Sequence, residues 1–314
     1  MVGPPSNGAA AFPRASDCPA RKGGDDPGDG SPKKLFRVLP DCKTDPRCKS
    51  DRVLAPAGAS PRAVRVVREA SGGFPHAPNG EPRTGWRARG SAGQNVVASM
   101  KTLALEDAVA LIPEGASLMV GGFMGVGTPE RLIDELVRQC KRNLVVIAND
   151  TAMPARGIGK LVGAGLVAKT VASHIGLNPE TQRQMIAGKM AVDLVPQGTL
   201  IERIRAGGVG LGGVLTPTGI GTVVEEGKRR IEVEGTSYLL ETALRADFAL
   251  VHAFLADYTG NLSYALTARN FNPLIAMAAD TVIATADHIV PVGVIAPDHV
   301  VTPAPLVDYL IANG

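Results

Sequence analysis

Aromatic residues make up only 4% of the 314-residue chain, with a single tryptophan, Trp86. A folded core in this chain therefore has to be built mainly from Val, Leu, Ile and Ala. No apolar run approaches the roughly 18 residues that a membrane-spanning helix needs, so no membrane partner is expected. The residues after Met1, "VGPPSNG", hold no apolar stretch, so no secretory signal is expected either. Cysteine is sparse. Cys18, Cys42 and Cys48 lie in the first third and Cys140 alone in the remainder. Cys42 and Cys48 do not form a CxxC pair and no histidine cluster accompanies them, so no metal site is expected. One cysteine in the larger part suits a reducing, cytoplasmic setting.

Charge is unevenly spread. Residues 1–99 carry 16 Lys+Arg against 9 Asp+Glu, and the rest carries 17 against 21. The basic balance belongs to the first third, and the acidic remainder has no patch suited to nucleic acid. Residues 1–99 read as a polar tract broken by Pro and Gly, too poor in apolar periodicity to offset the entropy of ordering. Three readings fit it: a disordered tail, a targeting peptide, or an upstream extension from a mis-called start. Asp17, Asp25, Asp26, Asp29, Asp41 and Asp45 argue against an import signal. The third reading is favoured, because Met100 is the first methionine after Met1 and "MKTLALEDAVALIPEG" reads as a natural beginning.

From residue 100 to 314 one ordered domain is expected. "LEDAVALI" has helical spacing and "SLMVGGF" is a short apolar strand. "TPERLIDELVRQC" predicts a helix with Leu132, Ile133, Leu136 and Val137 on one face, Thr128 as its cap and Pro129 as its first residue. "NLVVIAND", "VAKTVASHIG" and "AVDLVPQGT" predict strands, and "NPETQRQMIAGKM" a helix capped by Asn178. "LIERIRAGG" predicts a helix ended by glycine. "FALVHAFLA", "PLIAMAADTVIAT" and a final helix over "APLVDYLIAN" follow. Apolar strands alternating with helices predict an α/β fold: an open, mostly parallel sheet with helices on both faces. Ligands of such sheets bind beyond the carboxyl ends of the strands, where "GGFMGVGTP", "ANDT", "SHIG" and "PQGT" all fall.

The glycine stretch, residues 121–127, comprises Gly121, Gly122, Phe123, Met124, Gly125, Val126 and Gly127. Its glycines permit positive φ and close approach of a ligand to the backbone, ahead of a helix start suited to an anion. It is neither a P-loop nor a GxGxxG fingerprint. The alternative is a tight strand–helix turn without a ligand. Asn149 and Gln197 each end an apolar run at the same edge. A neutral amide there can donate to a carbonyl gaining negative charge, or simply shape a turn. His174 reads as a satisfied structural histidine. Arg269 and Asn270 read as fixing a turn or a subunit contact, and "AGGVGLGGVLTPTGIGT", residues 206–222, as a flap or interface segment.

"GGFMGVGTP" resembles the GGF-x-x-x-G-x-P signature of family I coenzyme A transferases, near the start of their α subunit. "IANDTA", "SHIGLNPET", "LVPQGTLIERIRAGG", "LTPTGIGTVVEEGK", "GNLSY" and "ARNFNP" resemble that subunit in the same order, across residues 100–314, with the acetate/acetoacetate type nearest. One departure is Glu114 before Gly115, where the family usually has Asp or Asn. The resemblance implies a fold shared with some sugar-phosphate isomerases. It also implies coenzyme A as a substrate rather than a permanently bound cofactor, and transfer between a short-chain acyl-CoA and acetate or acetoacetate. The nucleophilic glutamate of the two-subunit members lies in a Ser-Glu-Asn-Gly segment of a β subunit. That segment is absent here, and Glu225, Glu226 and Glu241 lack its context. The resemblance therefore implies a β partner, in a heterotetramer or larger assembly, and no activity for this chain alone. It places residues 121–127 on the CoA side, and Gln197 and Asn149 facing the partner's glutamate. The alternatives are the α subunit of a 3-oxoadipate CoA-transferase, or a non-catalytic ligand-binding protein on the same fold.

Overall fold

A computed structural model describes residues 101–312; the expectations for residues 1–99 lie outside the described residues. The chain opens with strand β1 (Lys101–Leu103), helix α1 (Leu105–Ala110), strand β2 (Ser117–Val120) and helix α2 (Glu130–Arg138). Then come β3 (Leu144–Asp150), α3 (Ile158–Gly163), β4 (Val167–His174), α4 (Pro179–Ile186), β5 (Ala191–Leu194) and α5 (Gln197–Gly208). Three strands follow without an intervening α-helix: β6 (Gly213–Thr216), β7 (Arg230–Val233) and β8 (Thr236–Thr242). The last part holds β9 (Ala246–Asp257), β10 (Leu262–Ser263), α6 (Asn272–Ile275), β11 (Ala279–Val290) and β12 (Tyr309–Ile311).

Nine strands form one sheet in the order β1-β12-β11-β9-β2-β3-β4-β5, with β10 paired antiparallel to β9 and every other pairing parallel. Successive side chains of a strand point to opposite faces, and the core divides accordingly. Leu118, Val120, Val146 and Leu250 pack with Val109 of α1, Leu132 and Leu136 of α2, and Leu161 of α3. Met119, Ile147, Ala249 and Val251 pack on the other face with Leu200 and Ile204 of α5 and Ile275 of α6. Helices thus cover both faces, as the apolar strands require. β5 is the exception: it is the edge strand and mostly exposed, including Leu194.

The sheet has one reversal of strand order. From β2 the chain builds outward through β3, β4 and β5, then returns to pair β9 on the other flank of β2. The loop after β2 is therefore at the topological switch point, the position at which sheets of this kind bind ligands.

Local chemistry explains most element ends. Asn178 caps α4, its Oδ1 accepting from the N–H groups of Glu180 and Thr181. Thr128 does not cap α2. Its hydroxyl donates to the Gly121 carbonyl at 3.1 Å, tying the two ends of the glycine stretch, and Pro129 takes the cap position instead. Gln197 begins α5 rather than ending a strand, so that helix starts three residues earlier than its apolar pattern suggests. The expected final helix is a strand. A short 3₁₀ turn, Ala304–Leu306, leads into β12, which fills the gap between β1 and β11 with Tyr309 opposite both Lys101 and Ile283. Residues 206–222 finish α5 and supply β6, which pairs with β8 in a separate three-stranded antiparallel sheet, β6-β8-β7. Buried Glu241 of β8 pairs there with Lys228 and, at 3.8 Å, with Arg203 of α5.

Candidate active site

The glycine stretch folds into a miniature hairpin. Phe123 and Val126 exchange two backbone hydrogen bonds of 2.9 Å, with Met124 (φ 50°) and Gly125 (φ 85°) as the two turn residues. Two positive φ values in succession make this the tight turn that matches strand twist. Its root is pinned by the Gly121 N–H on the Leu250 carbonyl, 3.0 Å away.

The four glycines serve different ends. A Cβ on Gly121 would lie 1.8 Å from the Asn272 side-chain oxygen, and one on Gly127 would lie 2.5 Å from the Ala268 Cβ. The "ARNFNP" stretch, not a ligand, thus demands their bareness. Gly122 likewise meets Thr128. Only Gly125, at the tip, opens onto space: its nearest neighbour atoms belong to Arg156, 3.9 Å away. Of the glycines expected to let a ligand approach, Gly125 alone has room beside it; Gly121 and Gly122 are buried and Gly127 is packed against Ala268. Phe123 is half-buried, while Met124 and Val126 present exposed apolar side chains beside it.

Asn149 and Gln197 do come together. Asn149 is buried near the end of β3, and Gln197 stands at the start of α5. The Gln197 Nε2 donates to Asn149 Oδ1 at 2.5 Å. Ser173 of β4 donates its hydroxyl to the Asn149 carbonyl at 2.7 Å and approaches its Oδ1 at 3.3 Å. Asn149 Nδ2 donates to Asp150 Oδ2 at 2.7 Å. The Met124 N–H also donates to Asp150 Oδ2, at 2.9 Å, so the hairpin and the amides meet on one carboxylate.

His174, the last residue of β4, is exposed at this edge, and no hydrogen bond engages its ring. The expectation of a satisfied structural histidine is not met within the chain: β4 runs out to the sheet edge and carries the ring into solvent. Arg269 is exposed too, whereas Asn272, three residues on, is fully buried. Asn272 Nδ2 donates to the carbonyls of Gly127 and Ala268, both at 2.9 Å, and its Oδ1 accepts the His252 N–H at 3.0 Å. Arg269 and Asn270 close a short 3₁₀ turn, Leu266–Arg269, and the contact that fixes this segment to the hairpin is made by Asn272. Its signal in the sequence was a polar residue inside an apolar segment, next to a proline.

At the end of β9, buried Asp257 accepts from the backbone and side chains of both Thr259 and Asn261. Burial pushes its carboxyl upward, and those hydrogen bonds outweigh it and hold the group below the usual carboxylate range. Among the described residues no cluster of His, Cys, Asp and Glu is assembled to hold a metal ion, and no helix is long and apolar enough to cross a membrane.

Fold and site together define an open α/β protein in which a backbone hairpin and two neutral amides meet at a topological switch point. Residues 102–313 match the coenzyme A transferase family, and the chain belongs to that family. It is 55% identical over 213 residues to the alpha chain of the acetate CoA-transferase of Escherichia coli K12, spanning 68% of this chain and 97% of that protein. It is 46% identical to the alpha chain of the acetoacetyl-CoA:acetate/butyrate CoA transferase of Clostridium acetobutylicum, over 67% of this chain and 97% of that one. Among solved structures, the thioester complex with CoA of an acyl-CoA transferase from E. coli O157:H7 superposes with a TM-score of 0.62 at 26% identity. That match covers 68% of this chain and 47% of the other, so this chain spans about half of that transferase. The chain is a CoA-transferase, and the relatives it matches over nearly their whole length are named as alpha subunits.

Proposed function

We propose that this chain is the α subunit of a heteromeric transferase that moves CoA between a short-chain acyl-CoA and acetate or acetoacetate, with a β subunit supplying the nucleophilic glutamate. The observation that carries this reading is the 2.5 Å Gln197–Asn149 contact beside the glycine hairpin, where the adjacent carboxylate is too fully engaged to act as the family's nucleophile. Asp150, the carboxylate at the centre of this group, is buried and already accepts three hydrogen bonds.

The chemistry divides between the subunits. A carboxylate of the partner attacks the acyl-CoA carbonyl, the carbon–sulfur bond breaks, and a mixed anhydride and CoA thiolate result. The thiolate attacks the glutamyl carbonyl, releasing the first acid as its carboxylate and leaving a glutamyl-CoA thioester. The acceptor carboxylate then reverses the sequence. Each tetrahedral step places negative charge on an oxygen. Gln197 uses one N–H on Asn149 and keeps the other for that oxygen, and Asn149 keeps its second N–H likewise. Neutral amides stabilise the oxyanion without competing as nucleophiles. The hairpin tip at Gly125, flanked by exposed Met124 and Val126, suits the CoA side.

The names of the relatives favour acetate and acetoacetate, borne at 55% and 46% identity, over 3-oxoadipate, borne by a CoA-transferase chain of Pseudomonas putida at 42%. The test is CoA transfer from acetoacetyl-CoA to acetate, measured for this chain with and without its β subunit. Transfer only in the mixture supports the proposal, and transfer by this chain alone overturns it.

A further inference from the structure

We infer that Asp150 is a positioning residue that sets the polarity of the Asn149–Gln197 amide pair and locks it to the glycine hairpin; the inference rests on the reading of those amides given above. Asp150 ends β3, is 6% exposed, and has no basic side chain paired with it among the described residues. A buried carboxylate without a cation is costly unless its lone pairs are taken up by donors. Here three donors do so. Oδ1 accepts the Ala152 N–H at 2.7 Å, and Oδ2 accepts both the Met124 N–H at 2.9 Å and Asn149 Nδ2 at 2.7 Å.

A turn-forming aspartate accounts for one of these. The bond to the N–H two residues on is the common Asp turn, and it holds Ala152 at φ 53°. It does not require the second oxygen to reach a loop 26 residues away and a neighbouring side chain at once. That second oxygen has a directional consequence. An amide side chain can be rotated by half a turn, exchanging its oxygen and nitrogen. Asp150 accepts only, so Asn149 must present its nitrogen to it and its oxygen to Gln197. Gln197 must then present nitrogen to Asn149, and its remaining N–H stays at the crevice. Asparagine at 150 would remove this constraint. Its own nitrogen would face either Ala152 N–H or the pair of donors at Oδ2, and relief comes by turning Asn149 over. Gln197 then turns as well, offering an acceptor where the oxyanion needs a donor.

The test is a double-mutant cycle in the assembled α–β enzyme, comparing Asp150→Asn, Gln197→Ala and the double variant. The expected result for Asp150→Asn is a fall of about 10²-fold in kcat, with a smaller rise in KM for the acyl-CoA, because the Met124 N–H loses its acceptor and the hairpin loosens. The double variant should be no slower than the slower single variant, since both act through one amide. Unchanged kcat in Asp150→Asn, or losses that multiply in the double variant, overturns the inference while leaving the transferase reading intact. A wild-type complex that transfers no CoA removes both. Should Asp150→Asn fail to assemble with its partner, Asp150→Ser carries the same cycle, with the same outcomes deciding.

Discussion

The Asn272 side chain occupies the space that any side chain on Gly121 would need. A Cβ there would stand 1.8 Å from Asn272 Oδ1 and 2.4 Å from its carbonyl carbon. The two residues lie far apart along the chain, and each explains the other: the bare glycine admits the asparagine, and the asparagine latches the hairpin through the Gly127 carbonyl.

Gly121→Ala should therefore be severe. Accommodating the methyl expels a buried amide that makes three hydrogen bonds, at a cost of about 3–5 kcal/mol. Asn272→Ala should cost less, about 2–4 kcal/mol, because it leaves polar groups unpaired but creates no overlap. Chemical denaturation of the single variants and of the double variant measures both. The double variant should be little worse than Asn272→Ala, since the space is then vacant.

Gly125→Ala separates the ligand-facing glycine from the packed ones. The methyl meets open space, and the cost of a non-glycine residue at φ 85° is about 1–2 kcal/mol. The larger effect should fall on KM for the acyl-CoA, which a titration of initial rates would read. An unchanged KM would place the ligand elsewhere.

Gln197→Ala should lower kcat by roughly 10²–10³-fold in the assembled enzyme, the loss seen when one oxyanion donor is removed. Thermal stability should barely change, because Gln197 is exposed at the start of α5. Wild-type-like turnover would take Gln197 out of the site.

Asp257 makes stability depend on acid. Its folded carboxyl titrates below the ordinary value near 3.9, so its contribution is complete above about pH 4 and is lost as pH falls through the folded value. Asp257→Asn should be less stable than wild type at pH 7, with the gap in denaturation midpoints closing as pH falls through the folded value. A gap that persists undiminished in acid would contradict the hydrogen-bond account.

Glu241 ties the small antiparallel sheet to α5. Glu241→Gln leaves Lys228 and Arg203 without their buried carboxylate. Both cations keep partial access to water, so the loss should be about 1–3 kcal/mol, below that of a fully buried pair. Hydrogen exchange should rise first in β6, β7 and β8.

Much of the sheet was legible because the signal was local. Val–Val–Ile runs and the Asn178–Pro179 cap carry their own instructions. Where local patterns fit two periods, the sequence was ambiguous. "LVDYLI" reads as helix by spacing, and only the vacant register between β1 and β11 makes it a strand. Thr128 and Pro129 likewise formed a good cap signal, but the Thr128 hydroxyl found a partner across the loop neck. The short α3 escaped for want of length. At the site, Asn149 and Gln197 were legible as amides at strand-end loops. Asn272 showed only as a polar residue in an apolar segment; its latching role was not legible, because its partners lie in a segment distant along the chain.

By itself the sequence determined the class of fold, through periodicity, and the family, through the resemblance of its motifs. Both are properties of contiguous residues. Tertiary structure alone decided which glycine faces outward, that Asn272 is the latch, and that one carboxylate joins Met124 to Asn149. Those depend on close approach between loops far apart in sequence, where a difference of one methyl group or one proton selects the partner.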